Sequence, residues 1–236
     1  MATAEDEEYV MTTEDWTNSW NSGHDSTFIS EPHPALVANI DTLTAEKSNC
    51  KIFVPLCGTS VDMKWLADRG HKVTGLECSE VAIKKFFKTN NIEFIQEPVK
   101  NIENAQIYKA TDGSIEIYQC DLYTFNVDVV GKFDCIWDSG SLEAINHKDR
   151  SSYTKIMTSI MANECKYFIH SFSYDKSKVE FGPYMFSTED LRIIFGDQYK
   201  VELVSRYMMP DNFLKAYDFS QDSNCYGILH LVTQTR

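Results

Sequence analysis

FVPLCGTSVDMKWLADRGHKVTGLE, residues 53–77, decides the fold of this 236-residue chain. The stretch begins inside an apolar run, residues 50–56, that is typical of a buried parallel strand and stops at Cys57-Gly58. A second apolar run, residues 71–76, follows a predicted helix and stops at Glu77. Two adjacent strands joined through a helix are expected to be parallel, because a parallel pair needs a long crossover connection, whereas an antiparallel pair can be joined by a short turn. The stretch therefore predicts a strand, helix, strand unit.

The alternation continues to the end of the chain. Thr59 and Asp62 give the first helix a T-x-x-D start, and Ser187 and Asp190 give the last helix an S-x-x-D start. Further strands are predicted at 106–110, 115–120, 133–137, 166–174, 200–207 and 226–234, and helices at 59–69, 79–90, 149–162 and 187–195. The runs 106–110 and 115–120 flank residues 111–113 as a predicted hairpin, of which 115–120 is the core strand. This order predicts an α/β fold with a doubly wound, mostly parallel seven-stranded sheet and helices on both faces.

The domain organisation follows from the N-terminal composition. Residues 1–12 are rich in acidic and poor in apolar side chains, which predicts a mobile tail, and residues 13–236 are expected to form one domain. Trp16 and Trp20 are four residues apart and share one face of a short helix. The segment 13–36 is therefore interpreted as an aromatic lid over a ligand or as ordinary packing of a first helix.

Charge and composition exclude several classes of partner. The formal net charge is -13, and no cluster of lysine and arginine is long enough to follow a phosphate backbone, so neither nucleic acid nor a membrane surface is expected as a partner. No apolar run reaches the roughly 18 residues of a membrane helix, and the N-terminus lacks a signal-peptide pattern. A cytoplasmic protein is predicted.

The cysteines predict no metal site. None of the seven forms a CxxC pair or a zinc-like cluster with histidine. Cys57 or Cys78 could act as a nucleophile, but neither has a histidine or another base beside it in the sequence.

Four residues follow the ends of predicted strands: Gly58, Glu77, Asp121 and Asp138. In a doubly wound sheet these ends meet at one crevice. Glu77 follows Gly58 by nineteen residues, the spacing at which an acidic side chain accepts hydrogen bonds from ribose hydroxyls. A nucleoside ligand is predicted.

The first turn narrows the choice of nucleoside. It contains the single glycine Gly58 and lacks the G-x-G-x-x-G pattern with which a dinucleotide's pyrophosphate is bound, which disfavours a nicotinamide-dependent oxidoreductase. S-adenosylmethionine has no phosphate and fits this turn. Asp121 would then accept a hydrogen bond from the adenine amino group, and main-chain groups near Leu56 would contact the methionine end.

Two stretches carry a resemblance to a known family. Residues 53–77 and residues 131–146, GKFDCIWDSGSLEAIN, resemble the thiopurine S-methyltransferase family, and weaker similarity runs from Trp16 to the C-terminus. The resemblance implies a Rossmann-like class I methyltransferase fold, S-adenosylmethionine as the methyl donor, aromatic or heterocyclic thiols as acceptors, and a cytosolic monomer.

The resemblance also implies roles for individual residues. A group of aromatic side chains would cover the cofactor, with the last of them also touching the substrate: Trp16, Trp20 and Phe28. A second group would surround the methionine, ribose and adenine of the cofactor: Leu56, Gly58, Glu77, Cys78, Asp121 and Leu122.

One departure from the family pattern concerns the acceptor. The family typically has W-D-R-G or W-D-R-A where this chain has Trp137-Asp138-Ser139-Gly140. Ser139 therefore stands at the active-site position of an arginine, beside cofactor and acceptor, and Asp138 is expected to contact substrate. Acceptors that are already acidic, or neutral, are predicted. Alternative functions are methylation of halide, thiocyanate, selenium or tellurium acceptors, or catalytically silent binding of S-adenosylmethionine.

Overall fold

The computed structural model describes residues 10–23, 30–175, 183–216 and 224–235. Within these ranges the strands are β1 (Lys51–Val54), β2 (Lys72–Glu77), β3 (Phe94–Pro98), β4 (Gln106–Ala110), β5 (Ile115–Gln119), β6 (Phe133–Ser139), β7 (Met161–Ser173), β8 (Tyr199–Met208) and β9 (Tyr226–Gln234). The α-helices there are α1 (Thr13–Asn21), α2 (Pro34–Thr44), α3 (Val61–Ala67), α4 (Glu80–Thr89), α5 (Val127–Val130), α6 (Arg150–Ser159), α7 (Thr188–Phe195) and α8 (Asp211–Ala216).

All nine strands belong to one sheet with the order β3-β4-β5-β2-β1-β6-β7-β9-β8. The pairs that join β5, β2, β1, β6 and β7 are parallel, whereas β4 and β9 run opposite to their neighbours. The chain builds outward from β1 through β2 to β5 and then returns to the other side of β1 with β6. The strand order thus reverses between β1 and β6, the point at which such sheets bind ligands beyond the carboxyl ends of their strands.

Alternating side chains of the strands support helices on both faces. Ile52 and Val54 of β1 lie in a core cluster with residues of α2, α3 and α4, whereas Phe53 lies in a second cluster with residues of α6 and α7. Successive side chains of a strand point to opposite faces, so a central strand covered on both sides is apolar throughout.

The predicted doubly wound α/β sheet is confirmed, but the predicted number of seven strands is wrong. The described sheet has nine, because β3 and β4 extend it beyond β5 as an antiparallel pair. The sequence indicated β4 as one arm of a hairpin and missed β3. Most of β3 is exposed, and it ends at Pro98, so this edge strand carries no apolar run that would reveal it.

The predicted start of the helix after β1 is also wrong. α3 begins after Ser60, without a side-chain capping bond, and ends at Ala67. Asp62 is buried instead of exposed in the first turn: its carboxylate accepts hydrogen bonds from the His33 main-chain N–H and from Trp137 Nε1, both at 2.7 Å. Donors from two distant parts of the chain bind this carboxylate, which local spacing cannot reveal. The predicted capping box from Ser187 to Asp190 is confirmed at α7.

Helix α1 lies at the surface. Thr12 and Asp15 form its capping box, and no residue of the helix is buried. Within the described ranges, no helix has both the length and the apolar composition needed to cross a membrane.

Candidate active site

The turn after β1 forms the centre of the site. Leu56 and Gly58 both have left-handed backbone conformations, with φ of 42° and 49°. The Cys57 main-chain N–H donates to the Leu76 carbonyl at 2.9 Å, which fixes the turn to the neighbouring strand β2. Position 58 favours glycine because φ is +49° and because an added Cβ would lie 3.1 Å from Cζ2 of Trp20. The chain therefore passes closely beneath an aromatic ring at this point.

Glu77, at the end of β2, reaches this turn as its spacing predicted. Its Oε2 accepts from the Gly58 N–H at 2.9 Å, and its Oε1 accepts from the Ser79 N–H at 2.8 Å and from Cys78 Sγ at 3.3 Å. The side chain is buried, and burial raises its pKa while these hydrogen bonds lower it. A carboxylate has about four lone-pair positions, so Glu77 retains an acceptor position for a ligand hydroxyl.

Helix α1 crosses the carboxyl ends of three strands. Trp20 covers Gly58 after β1, Thr17 Oγ1 lies 3.9 Å from Cys78 Sγ after β2, and Thr13 Oγ1 donates to Asp121 Oδ2 at 3.0 Å after β5. Trp16 is 38% exposed, whereas Trp20, one turn later, is only partly exposed. Helix α1 therefore contacts the crevice through the hydroxyls of Thr13 and Thr17 and through the ring of Trp20.

Asp121 and Leu122 follow β5. Besides Thr13, the Asp121 carboxylate accepts from the Tyr123 N–H at 2.8 Å and so starts a short 3-10 helix. The Leu122 side chain is buried in the same core cluster as Phe53, and its carbonyl accepts from the Phe125 N–H at 3.0 Å. The predicted adenine contacts of both residues stay predictions, as does the cofactor contact of Phe28, which lies outside the described residues.

Asp138, the next to last residue of β6, is completely buried. Its Oδ1 accepts from the Ser141 and Leu142 N–H groups at 3.1 and 3.2 Å, and its Oδ2 accepts from the hydroxyls of Tyr153 and Tyr167 at 2.6 and 2.8 Å. Four protein donors surround this carboxylate. It holds the turn after β6 in place, and its predicted contact with substrate stays a prediction.

Ser139 ends β6 and is partly exposed. The strand-order reversal places the carboxyl end of β6 beside that of β1, where Ser141 Oγ donates to the Pro55 carbonyl at 2.7 Å. The predicted positions of Ser139 and Gly58 therefore border one crevice. The chemical role of Ser139 stays a prediction.

Sequence reasoning missed Glu143. This residue is 3% exposed, its Oε1 accepts from the Phe172 N–H at 2.7 Å, and its Oε2 has no hydrogen-bond partner among the described residues. The signal available in the sequence was an acidic residue inside the otherwise small and apolar stretch after Gly140.

The cysteines near the crevice do not have the properties of nucleophiles. Burial is the main cause that raises the pKa of both thiols, that of Cys78 to about 12 and that of Cys57 well above its ordinary value, and the charge of Glu77 adds to both shifts. Thiols in this environment stay protonated and unreactive. Among the described residues, no group of histidine, cysteine and acidic side chains could hold a metal ion.

The crevice fits S-adenosylmethionine. Glu77 provides a buried acceptor, and the turn at Gly58 provides a close main-chain approach. A fold of this kind places the protein in the Rossmann-like class of nucleoside-binding enzymes, which includes the methyltransferases. The solved 1,6-didemethyltoxoflavin-N1-methyltransferase of Burkholderia thailandensis, with bound 1,6-didemethyltoxoflavin and S-adenosylhomocysteine, has the same fold. It aligns with a TM-score of 0.60 at 14% identity over 94% of this chain and 87% of that chain.

Comparison of sequences identifies the family. The model of the thiopurine S-methyltransferase family matches residues 11–221. A probable thiopurine S-methyltransferase of Danio rerio is 41% identical over 83% of this chain and 84% of that protein, and the thiopurine S-methyltransferase of Mus musculus is 38% identical over 79% and 78%. The chain belongs to the thiopurine S-methyltransferase family and is an S-adenosylmethionine-dependent methyltransferase, as predicted.

Proposed function

We propose that this protein methylates the sulfur of small aromatic or heterocyclic thiols. Membership of the thiopurine S-methyltransferase family carries this proposal, since the relatives at 41% and 38% identity bear that name. Glu77 and Asp121 would bind the ribose and the adenine, and main-chain groups at Leu56 and Gly58 would hold the methionine end. S-adenosylmethionine, when bound, supplies an already activated methyl group.

The remaining task of the protein is alignment of the reacting atoms and exclusion of water. Helix α1 lies over the crevice with no buried residue of its own, which supports a lid function for the segment 13–36. We place the whole methyltransferase in one domain, residues 13–236. Residues 1–9 of the predicted tail lie outside the described residues, whereas Met11 exchanges hydrogen bonds with the Asn146 side chain and Thr12 caps α1. The charge of -13 supports a cytoplasmic monomer that binds neither nucleic acid nor membranes.

The acceptor site differs from the family pattern at Ser139. An arginine close to the acceptor lowers the pKa of a thiol by roughly one to three units, whereas a serine offers a hydrogen bond only. We therefore propose that thiopurines are poor acceptors for this enzyme and that neutral thiols, or thiols ionised by their own acidity, are better ones.

A panel of acceptors tests the proposed function. Aromatic thiols, thiopurines, sulfide, thiocyanate, halide and selenium compounds are each incubated with enzyme and labelled S-adenosylmethionine, and the methylated products are identified. Methyl thioethers of small thiols are expected. Turnover of halide or selenium acceptors alone would contradict S-methylation, and cofactor binding without any turnover would show a silent binding protein. Ser139→Arg is expected to raise thiopurine turnover, and an unchanged rate would contradict the role assigned to position 139.

A further inference from the structure

The turn after β6 brings Glu143 to the acceptor side of the crevice. Glu143 follows Ser139 by four residues and lies in the 3-10 helix Leu142–Ala144. Asp138 fastens this turn through two main-chain N–H groups, and Ser141 Oγ fastens it to the Pro55 carbonyl, directly before Leu56. Glu143 is thereby attached to the turn that approaches the methionine end of the donor.

The two oxygens of Glu143 have different surroundings. Oε1 accepts from the Phe172 N–H at the end of β7, whereas the buried Oε2 has no hydrogen-bond partner among the described residues. A buried polar atom without a partner is destabilising and calls for an explanation, such as a catalytic role. Asp138, which is also buried and lies in β6, accepts hydrogen bonds from four donors. A ligand could supply the hydrogen-bond donor that Oε2 of Glu143 lacks among the described residues.

Among the described residues, the groups that act on Glu143 include no cation. The carboxylate of Asp138 acts on Glu143 electrostatically. Burial, and then the charge of Glu143, raises the pKa of the Tyr174 phenol and of the Cys225 thiol. No described lysine or arginine forms an ion pair with Glu143. Burial, and then Asp138, raises the pKa of Glu143 well above its ordinary value. A sulfonium brought into the crevice favours the ionised form, because an opposite charge lowers the pKa of a carboxyl group.

We propose that Glu143 is the catalytic base of the acceptor site and that the acceptor is a thiol that arrives protonated. The proposal rests on the proposed S-methylation. The acceptor sulfur forms a bond to the methyl carbon as the bond from that carbon to the donor sulfur breaks, with the bonding pair leaving on the donor sulfur. The proton of the acceptor S–H passes to Glu143 Oε2 and later to water, so the sulfonium charge and the carboxylate charge disappear together.

Two acceptors of different acidity test this assignment. 4-Nitrothiophenol is ionised near neutral pH, whereas benzyl mercaptan is protonated. Glu143→Gln is expected to lower kcat/KM for benzyl mercaptan by about 100-fold, the contribution of a general base, and to lower that for 4-nitrothiophenol far less, because the ionised thiol has no proton to transfer. Glu143→Asp is expected to restore part of the loss. The control Glu189→Gln changes an exposed glutamate at the start of α7 and should affect neither acceptor.

The pH profile gives a readout that a purely structural residue would not change. In the wild type, turnover of benzyl mercaptan should depend on one carboxyl group, and in Glu143→Gln it should follow ionisation of the thiol itself. Equal losses on both acceptors, or no loss on benzyl mercaptan, would overturn the assignment of Glu143. A wild-type enzyme that methylates neither thiol would instead overturn the proposed function, so the two failures are distinguishable.

Discussion

The two halves of the crevice satisfy their buried carboxylates differently. At the ends of β1 and β2, Glu77 accepts from the main chain of Gly58 and Ser79 and from Cys78. At the ends of β6 and β7, only one oxygen of Glu143 has a hydrogen-bond donor among the described residues. Glu77 is thus oriented by protein groups before any ligand binds, whereas Glu143 keeps an oxygen for one. The comparison indicates that the half of the crevice proposed for the methyl donor, at the ends of β1 and β2, is preorganised. We expect selectivity for the methyl acceptor to reside in the other half.

The largest effect is expected from neutralising Glu77. Glu77→Gln removes hydrogen bonds to a charged acceptor, each worth about 1.5–3 kcal/mol, so the Kd of S-adenosylhomocysteine should rise about 10- to 100-fold. Isothermal titration calorimetry measures the change. The matched substitution Glu143→Gln should leave this Kd unchanged, and equal weakening by both variants would remove the distinction between the halves.

A smaller effect is expected at Gly58. Gly58→Ala adds a side chain where φ is +49° and where Trp20 lies 3.1 Å away, so affinity for S-adenosylhomocysteine should fall about tenfold, corresponding to about 1.4 kcal/mol. Because Trp20 is itself predicted to cover the cofactor, the contact is measured by a double-mutant cycle: Gly58→Ala and Trp20→Ala together should cost less affinity than the sum of their separate losses. Gly113→Ala is the control for backbone strain alone, because Gly113 has φ of +68° and no neighbour within 4 Å. It should reduce the free energy of unfolding without affecting affinity, and an effect on affinity equal to that of Gly58→Ala would contradict the account.

The smallest effect concerns stability and pH. Burial raises the pKa of Glu143 from an ordinary value of 4.5, so the folded state holds this proton at pH values where the unfolded chain has lost it. The folded state is therefore most favoured below pH 4.5 and loses this contribution as pH rises through the folded pKa. The free energy of unfolding of Glu143→Gln, measured relative to wild type by urea denaturation, should increase with pH above 4.5. A difference that is constant with pH would contradict the burial of an ionisable group there.

The contact between Gly58 and Glu77, in the half of the crevice proposed for the methyl donor, could be predicted from the sequence because it depends only on where two successive strands end. Gly58 follows β1, Glu77 ends β2, and a parallel sheet brings such strand ends together. The acceptor half depends on contacts between distant segments. The partners of Glu143 and Asp62 come from residues 29 positions away or more, through main-chain N–H groups and an indole. No spacing rule encodes those contacts, and the same holds for the exposed edge strand β3.

Hydrogen–deuterium exchange with and without S-adenosylhomocysteine tests the central claim most directly, that the nucleoside binds at the ends of β1, β2 and β5 beneath α1. The account predicts that the ligand protects main-chain N–H groups of residues 13–21, 56–59 and 120–123, and leaves β8 and β9 unchanged. Protection confined to β8 and β9, or no protection despite binding, would contradict it.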